Sequence, residues 1–163
     1  MCSDQSPWVV SDNLAYGFAA VSTGLSESDT CCSCYQLTFT STSIAGKKMI
    51  VQATNTGTDV GEGQFDLAIP GGGVGLFNAC TAQWGAPASG WGAQYGGLSS
   101  DTCSELPSAL QPGCKFRFGD WFEGADKVSN SRWSYFWKKH ANISAVCSFP
   151  CVNEPSCFSA EYF

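Results

Sequence analysis

Residues 51–80 read VQATNTGTDVGEGQFDLAIPGGGVGLFNAC, and the alternation inside this stretch decides how the chain is read. Phe65-Asp66-Leu67-Ala68-Ile69 has a period of two residues. As a strand it places Phe65, Leu67 and Ile69 on one face and Asp66 on the other. Asp59 stands seven residues before Asp66, across a turn that holds Gly61 and Gly63. A carboxylate opposite an apolar face, beside a glycine-rich loop, sits as a catalytic acid at the lip of a groove would. The same pattern also fits a solvated strand aspartate at Asp66 and a turn aspartate at Asp59. The glycine run directly after the strand, Ile69-Pro70-Gly71-Gly72-Gly73-Val74-Gly75, shifts the balance towards the catalytic reading.

Working outward, Met49-Ile50-Val51 reads as the centre of a buried strand within residues 47–54. Before it, Tyr35, Leu37 and Phe39 alternate with Gln36, Thr38 and Thr40 as a strand. Trp8-Val9-Val10 is a short apolar run, and residues 14–21 fit either a strand or a helix. Downstream, residues 72–78 read as the opening of a short helix. Residues 81–100 form a glycine-rich loop carrying Trp84, Trp91 and Tyr95. Rings on such a loop either stack on sugar faces or fold under it as a satellite cluster. Cys103 and Cys114, with Pro107 and Pro112 between them, read as a disulfide-closed loop. Lys115-Phe116-Arg117-Phe118 alternates as a strand, residues 132–140 suit a short helix, and residues 143–147 a last strand. Asn142-Ile143-Ser144 is a glycosylation sequon, meaningful only in a secreted chain. Short strands, frequent Gly and Pro turns and scarce helix signals predict an all-β, barrel-like domain with minor helices.

At 163 residues the chain is of a size for one domain. Ten cysteines with one histidine and 13% charged residues point to a disulfide framework in an oxidising compartment. A metal site is disfavoured: no pair of Cys-x-x-Cys motifs occurs, and His140 is alone. A net charge of −6 argues against nucleic acid or an acidic membrane as partner. No run approaches the roughly 18 apolar residues of a membrane span. Met1 runs straight into Cys2-Ser3-Asp4 without an export signal, so an upstream segment is expected to be missing or Met1 to be an added start.

Several motifs, in order, carry a resemblance. They are Cys2-Ser3-Asp4-Gln5-Ser6-Pro7-Trp8, Gly17-Phe18-Ala19-Ala20, Cys31-Cys32-Ser33-Cys34-Tyr35, Ala45-Gly46-Lys47-Lys48-Met49, and Phe65-Asp66-Leu67 with Pro70-Gly71-Gly72-Gly73-Val74-Gly75. Tyr95-Gly96-Gly97 and Pro112-Gly113-Cys114 continue the match. Together they resemble the endoglucanases of glycoside hydrolase family 45, from Cys2 to Cys157. The resemblance implies a six-stranded double-psi β-barrel with short helices and long disulfide-stapled loops, and a groove for β-1,4-glucan. It implies hydrolysis with inversion, which needs two carboxyl groups. By position Asp66 is the general acid, and Asp59 the auxiliary carboxylate and possible substitute base. Tyr95 is the aromatic on the mobile loop over the groove, with Trp84, Trp91, Gln64 and Trp8 as further substrate-binding candidates.

Two departures qualify the resemblance. The family's N-terminal region, whose aspartate is the general base, has no counterpart, so Asp59 or Asp4 would have to activate water and turnover is expected to be weak. Gln64 stands where histidine is frequent two residues before the acid. The resemblance pairs Cys103 with Cys114, Cys34 with Cys147 and Cys32 with Cys157, and puts the partners of Cys2, Cys31 and Cys80 in the absent region. The expectation is therefore a secreted, monomeric endo-β-1,4-glucanase of one barrel domain, without cofactor, metal or appended binding module. Its partner would be cellulose or another β-1,4-glucan. The alternative is a non-hydrolytic, expansin- or swollenin-like protein that loosens or binds glucan.

Overall fold

The computed structural model describes residues 5–56, 60–119 and 121–123, together with the backbone of 141–148. Six strands form one sheet: β1 (Trp8–Ser11), β2 (Leu14–Ser22), β3 (Ser33–Phe39), β4 (Lys48–Asn55), β5 (Gln64–Leu67) and β6 (Ala141–Ser148). Three short helices, α1 (Glu27–Thr30), α2 (Cys80–Trp84) and α3 (Gln111–Phe118), and one 3-10 turn (Cys103–Glu105) complete the described elements. The order across the sheet is β1-β2-β4-β3-β6. β2 and β4 run parallel, which the chain achieves by passing through α1 and β3 between them.

The closed double-psi barrel expected from the resemblance is not what the strands form. Both β1 and β5 lie along β2, β1 on its first half (Trp8 opposite Tyr16) and β5 on its second (Asp66 opposite Ala20). At the other end β6 pairs only with β3, so among the described residues no pairing returns from β6 to β1 or β5. The sheet is open. Strands β1 and β5, four residues each, divide one edge of β2 between them, so neither extends the sheet along its whole length.

Residues 14–21, ambiguous in sequence, belong to β2, and the burial alternates along the strand. Ala15, Ala19 and Val21 face the core. Leu37 and Phe39 of β3, Met49, Val51 and Ala53 of β4 and Phe65 of β5 join them, and Phe116, Trp121 and Phe122 cap this layer. Small residues on β2 make room for its neighbours: a Cβ on Gly17 would stand 2.5 Å from the Met49 methyl.

Two further expectations are corrected. Residues 72–78 are turns and irregular chain, and the helix begins only at Cys80. Lys115-Phe116-Arg117-Phe118 lies in α3, not in a strand. The residues that α3 buries, Gly113, Cys114, Phe116 and Arg117, fall at i, i+1, i+3 and i+4, the stripe of a helix face. Phe116 enters the main core, and Cys114 a second cluster with Leu98, Cys103, Leu106 and Leu110. The expected last strand is present as β6, whereas residues 132–140 lie outside the described residues.

Candidate active site

The turn into β5 is built by Gln64 and Gly63. Gly63 has φ +72°, a left-handed backbone that glycine tolerates, and its N–H donates to the Ser22 carbonyl at 2.6 Å. Gln64 is buried, and its side-chain oxygen accepts from the Gly61 N–H at 2.6 Å. Its amide therefore braces the turn immediately ahead of Asp66.

β5 then separates its side chains as the period requires. Phe65 is 1% exposed in the main core, and Leu67 and Ile69 pack against that core. Asp66 is half-buried and stands opposite Ala20, hence on the other face of the sheet with Tyr16, Phe18 and Ser22 of β2. Trp8 extends this face: it stands opposite Tyr16, 48% exposed, with ring centroids 5.6 Å from Tyr16 and 6.2 Å from Phe18. A row of rings thus runs along β2 towards the carboxylate.

The glycine run after β5 is the second component. Gly71 accepts two hydrogen bonds on its carbonyl, from the Leu98 N–H and from Arg117 Nη1, both at 2.9 Å. Gly75 exchanges two more with Gln94, N–H to carbonyl and side-chain amide to carbonyl, again at 2.9 Å each. Only glycine allows this approach: a Cβ on Gly97 would lie 1.9 Å from the Gly71 oxygen, and one on Gly73 2.7 Å from the Gln94 oxygen. The partner of this run is a tight loop closed by reciprocal Ala93–Gly97 backbone bonds at 2.9 Å. Tyr95 stands at its tip, 57% exposed. Beneath the loop is a depression of ≈ 250 Å³ whose lining includes Tyr95, Leu98, Ser99 and Arg117.

Trp84 and Trp91 pack against the second cluster, which leaves Tyr95 as the outward ring of residues 81–100. A disulfide joins Cys103 to Cys114 behind this loop. Cys32, Cys34 and Cys80 are also disulfide-bonded. The bond at Cys80 corrects the expectation that its partner lies in an absent region. The β3–β6 register sets Cys34 opposite Cys147, while the Cys31 thiol donates to the Thr54 carbonyl at 3.3 Å. Asp59, Asp4, Cys2, Cys151, Cys157 and His140 lie outside the described residues. Among the described residues, no group of three His, Cys, Asp or Glu side chains is arranged to hold a metal ion.

The sequence reading missed Arg117 and Gln94. Arg117 is 1% exposed and also donates through Nη2 to the Gly96 carbonyl at 2.9 Å, so one guanidinium joins the glycine run to the Tyr95 loop. The helical stripe Gly113, Cys114, Phe116, Arg117 was the available signal that this cation points inward.

The model of glycosyl hydrolase family 45 matches residues 1–140. The chain belongs to this family. That match to family 45 spans Asp66, Tyr95 and Arg117. An endoglucanase of Cryptopygus antarcticus is 57% identical over 131 residues, covering 79% of this chain and 57% of that protein. A putative endoglucanase type K of Fusarium oxysporum is 56% identical over 127 residues, 77% of this chain and 33% of the relative. The crystal structure of the cellulase from the Antarctic springtail C. antarcticus superposes with a TM-score of 0.75 at 50% identity. The match covers 89% of this chain and 65% of that one. This family 45 chain therefore spans little more than half the length of the C. antarcticus relative, and a third of the F. oxysporum one.

Proposed function

We propose that this chain is an endo-β-1,4-glucanase acting within cellulose or other β-1,4-glucan chains, with Asp66 as the general acid. The observation that carries the reading is the position of Asp66: a half-buried carboxylate on the face opposite the core, beside a row of aromatic rings. Family 45 membership, and relatives named endoglucanase, support the substrate class.

In the proposed reaction Asp66 gives its proton to the glycosidic oxygen as the bond from C1 to that oxygen breaks. Water enters C1 from the opposite face and passes a proton to a second carboxylate, which leaves the anomeric centre inverted. Asp59 is either the auxiliary carboxylate that helps keep Asp66 protonated or the substitute base across the sugar ring, with Asp4 the other candidate for base. Tyr95 and Trp8 grip sugar rings by stacking. The disulfides suit a secreted protein.

The test is the release of new reducing ends from carboxymethyl-cellulose and mixed-linkage glucan by the chain, Asp66→Asn and Asp59→Asn. Cutting by the parent, lost in Asp66→Asn, supports the reading, and Asp59→Asn reports whether Asp59 serves as base. A parent that binds or swells cellulose without producing ends would establish the expansin-like alternative instead.

A further inference from the structure

We propose that Arg117 is a positioning residue, one that fixes the Tyr95 loop against the backbone continuing from Asp66. The inference rests on the reading of Asp66 as acid and Tyr95 as a ring that grips substrate. From Asp66 the chain runs through Leu67, Ala68, Ile69 and Pro70 to Gly71, whose carbonyl accepts from Arg117 Nη1. The other prong of the same guanidinium holds the Gly96 carbonyl, next to Tyr95. A buried guanidinium is tolerated where its donors are satisfied, and its planar fork fixes two acceptors at a set separation.

Backbone bonds fix the arms of the Tyr95 loop, and Arg117 adds the side-chain bond to Gly96, the residue next to Tyr95. The Tyr95 ring is 57% exposed, and its loop is closed by the Ala93–Gly97 pair and followed by the Leu98 N–H bond to the Gly71 carbonyl. Gln94 holds the near arm of the loop to Gly75, and Arg117 the far arm to Gly71. Arg117 itself is seated by α3, where Cys114 is tied to Cys103 and Phe116 enters the main core. The clamp therefore transmits the rigidity of two packed clusters to an exposed ring.

The experiment compares Arg117→Lys with the parent, each also in a Tyr95→Ala background, using a soluble cello-oligosaccharide. Lysine keeps the cation but replaces the fork with a single point. The expected result is a KM raised about tenfold with kcat within about twofold, because stacking is lost alike in ground and transition states. That rise should disappear in the Tyr95→Ala background, since the effect passes through Tyr95. Amide exchange at Gly97 and Leu98 should quicken in Arg117→Lys while exchange at Val51 in β4 stays unchanged. An equal KM rise with and without Tyr95 would show a merely structural role and overturn the proposal. If Arg117→Lys does not fold, Arg117→Met, which keeps the buried stem and removes both donors, carries the same comparison. Should the parent itself release no reducing ends, the glucanase reading falls. Exchange then decides the clamp alone, and unchanged rates at Gly97 and Leu98 overturn it.

Discussion

Phe65 and Asp66 are neighbours in β5 yet serve opposite faces of the sheet. Phe65 meets Tyr35 edge-on at 5.2 Å inside the core, while Asp66 stands opposite Ala20 on the face that carries Tyr16 and Phe18. Substitution should separate the two roles. Phe65→Ala removes a fully buried ring and is expected to cost about 3–5 kcal/mol, read as a large fall in the denaturation midpoint. Asp66→Asn is expected to keep the midpoint within about 1 kcal/mol while glucan hydrolysis falls about 10²–10⁴-fold. A stable Phe65→Ala, or an unstable Asp66→Asn, would contradict this assignment of faces.

The glycines of the site predict a graded series. Gly97 has φ +63°, and a Cβ there would overlap the Gly71 oxygen at 1.9 Å and the Gly73 nitrogen at 2.5 Å, both backbone atoms. Gly75 has nearly the same φ, +61°, but nothing within 4 Å of an added Cβ. Gly75→Ala should therefore cost only the left-handed backbone penalty, about 1–2 kcal/mol. Gly97→Ala should add the clash and exceed about 3 kcal/mol, with the Tyr95 loop displaced. Equal thermal midpoints for the two variants would show that the contact between loops is not tight.

The same contrast marks what the sequence reveals and what it does not. The alternation through Phe65, Asp66 and Leu67 is a local signal, and it places the carboxylate on the face away from the core, where the structure also has it. In α3 the alternation of Phe116 and Phe118 was misleading, because the decisive stripe includes Gly113 and Arg117, neither of which looks apolar. The order of the sheet, and hence whether it closes, depends on pairing between strands distant in sequence, such as the β3–β6 pair at one end of the open sheet, which short-range periodicity does not encode. The role of Arg117 was hidden for the same reason: its acceptors are main-chain carbonyls 46 and 21 residues away. A carbonyl leaves no mark on the sequence. The motif of consecutive glycines was visible, but its cause, a second backbone lying against it, was not.

The Cys103–Cys114 disulfide closes a separation of 11 residues and lies in the cluster that supports Gly71 through Leu98 and Leu106. The chain-entropy argument gives about 3 kcal/mol for a loop of this order. Replacing both cysteines by serine should lower the denaturation midpoint by that order. KM should rise as well, because α3 then seats Arg117 less firmly. Selective reduction of this bond without loss of stability would refute the expectation.

Asp101 and Lys115 give a pH dependence whose sign is fixed. Lys115 Nζ reaches both carboxylate oxygens of Asp101 at 2.9 Å, and the Cys103 N–H donates to one of them at 3.3 Å. The lysine hydrogen bond first, and the backbone N–H second, hold the Asp101 carboxyl below its ordinary value of 3.8. A carboxyl depressed in the folded state favours folding above its unfolded value, and the benefit is lost as pH falls through the lower folded value. Asp101→Asn should therefore lower the thermal midpoint slightly at neutral pH. The gap should close as the pH is taken below 3.8 towards the folded value, because the parent then becomes neutral too. Both side chains are well exposed, 58% for Lys115 and 43% for Asp101, so the gap should also shrink in about 1 M salt. Thermal melts of the two proteins across pH and salt measure it. A gap that widens on acidification would mean that Asp101 acts through something other than its charge.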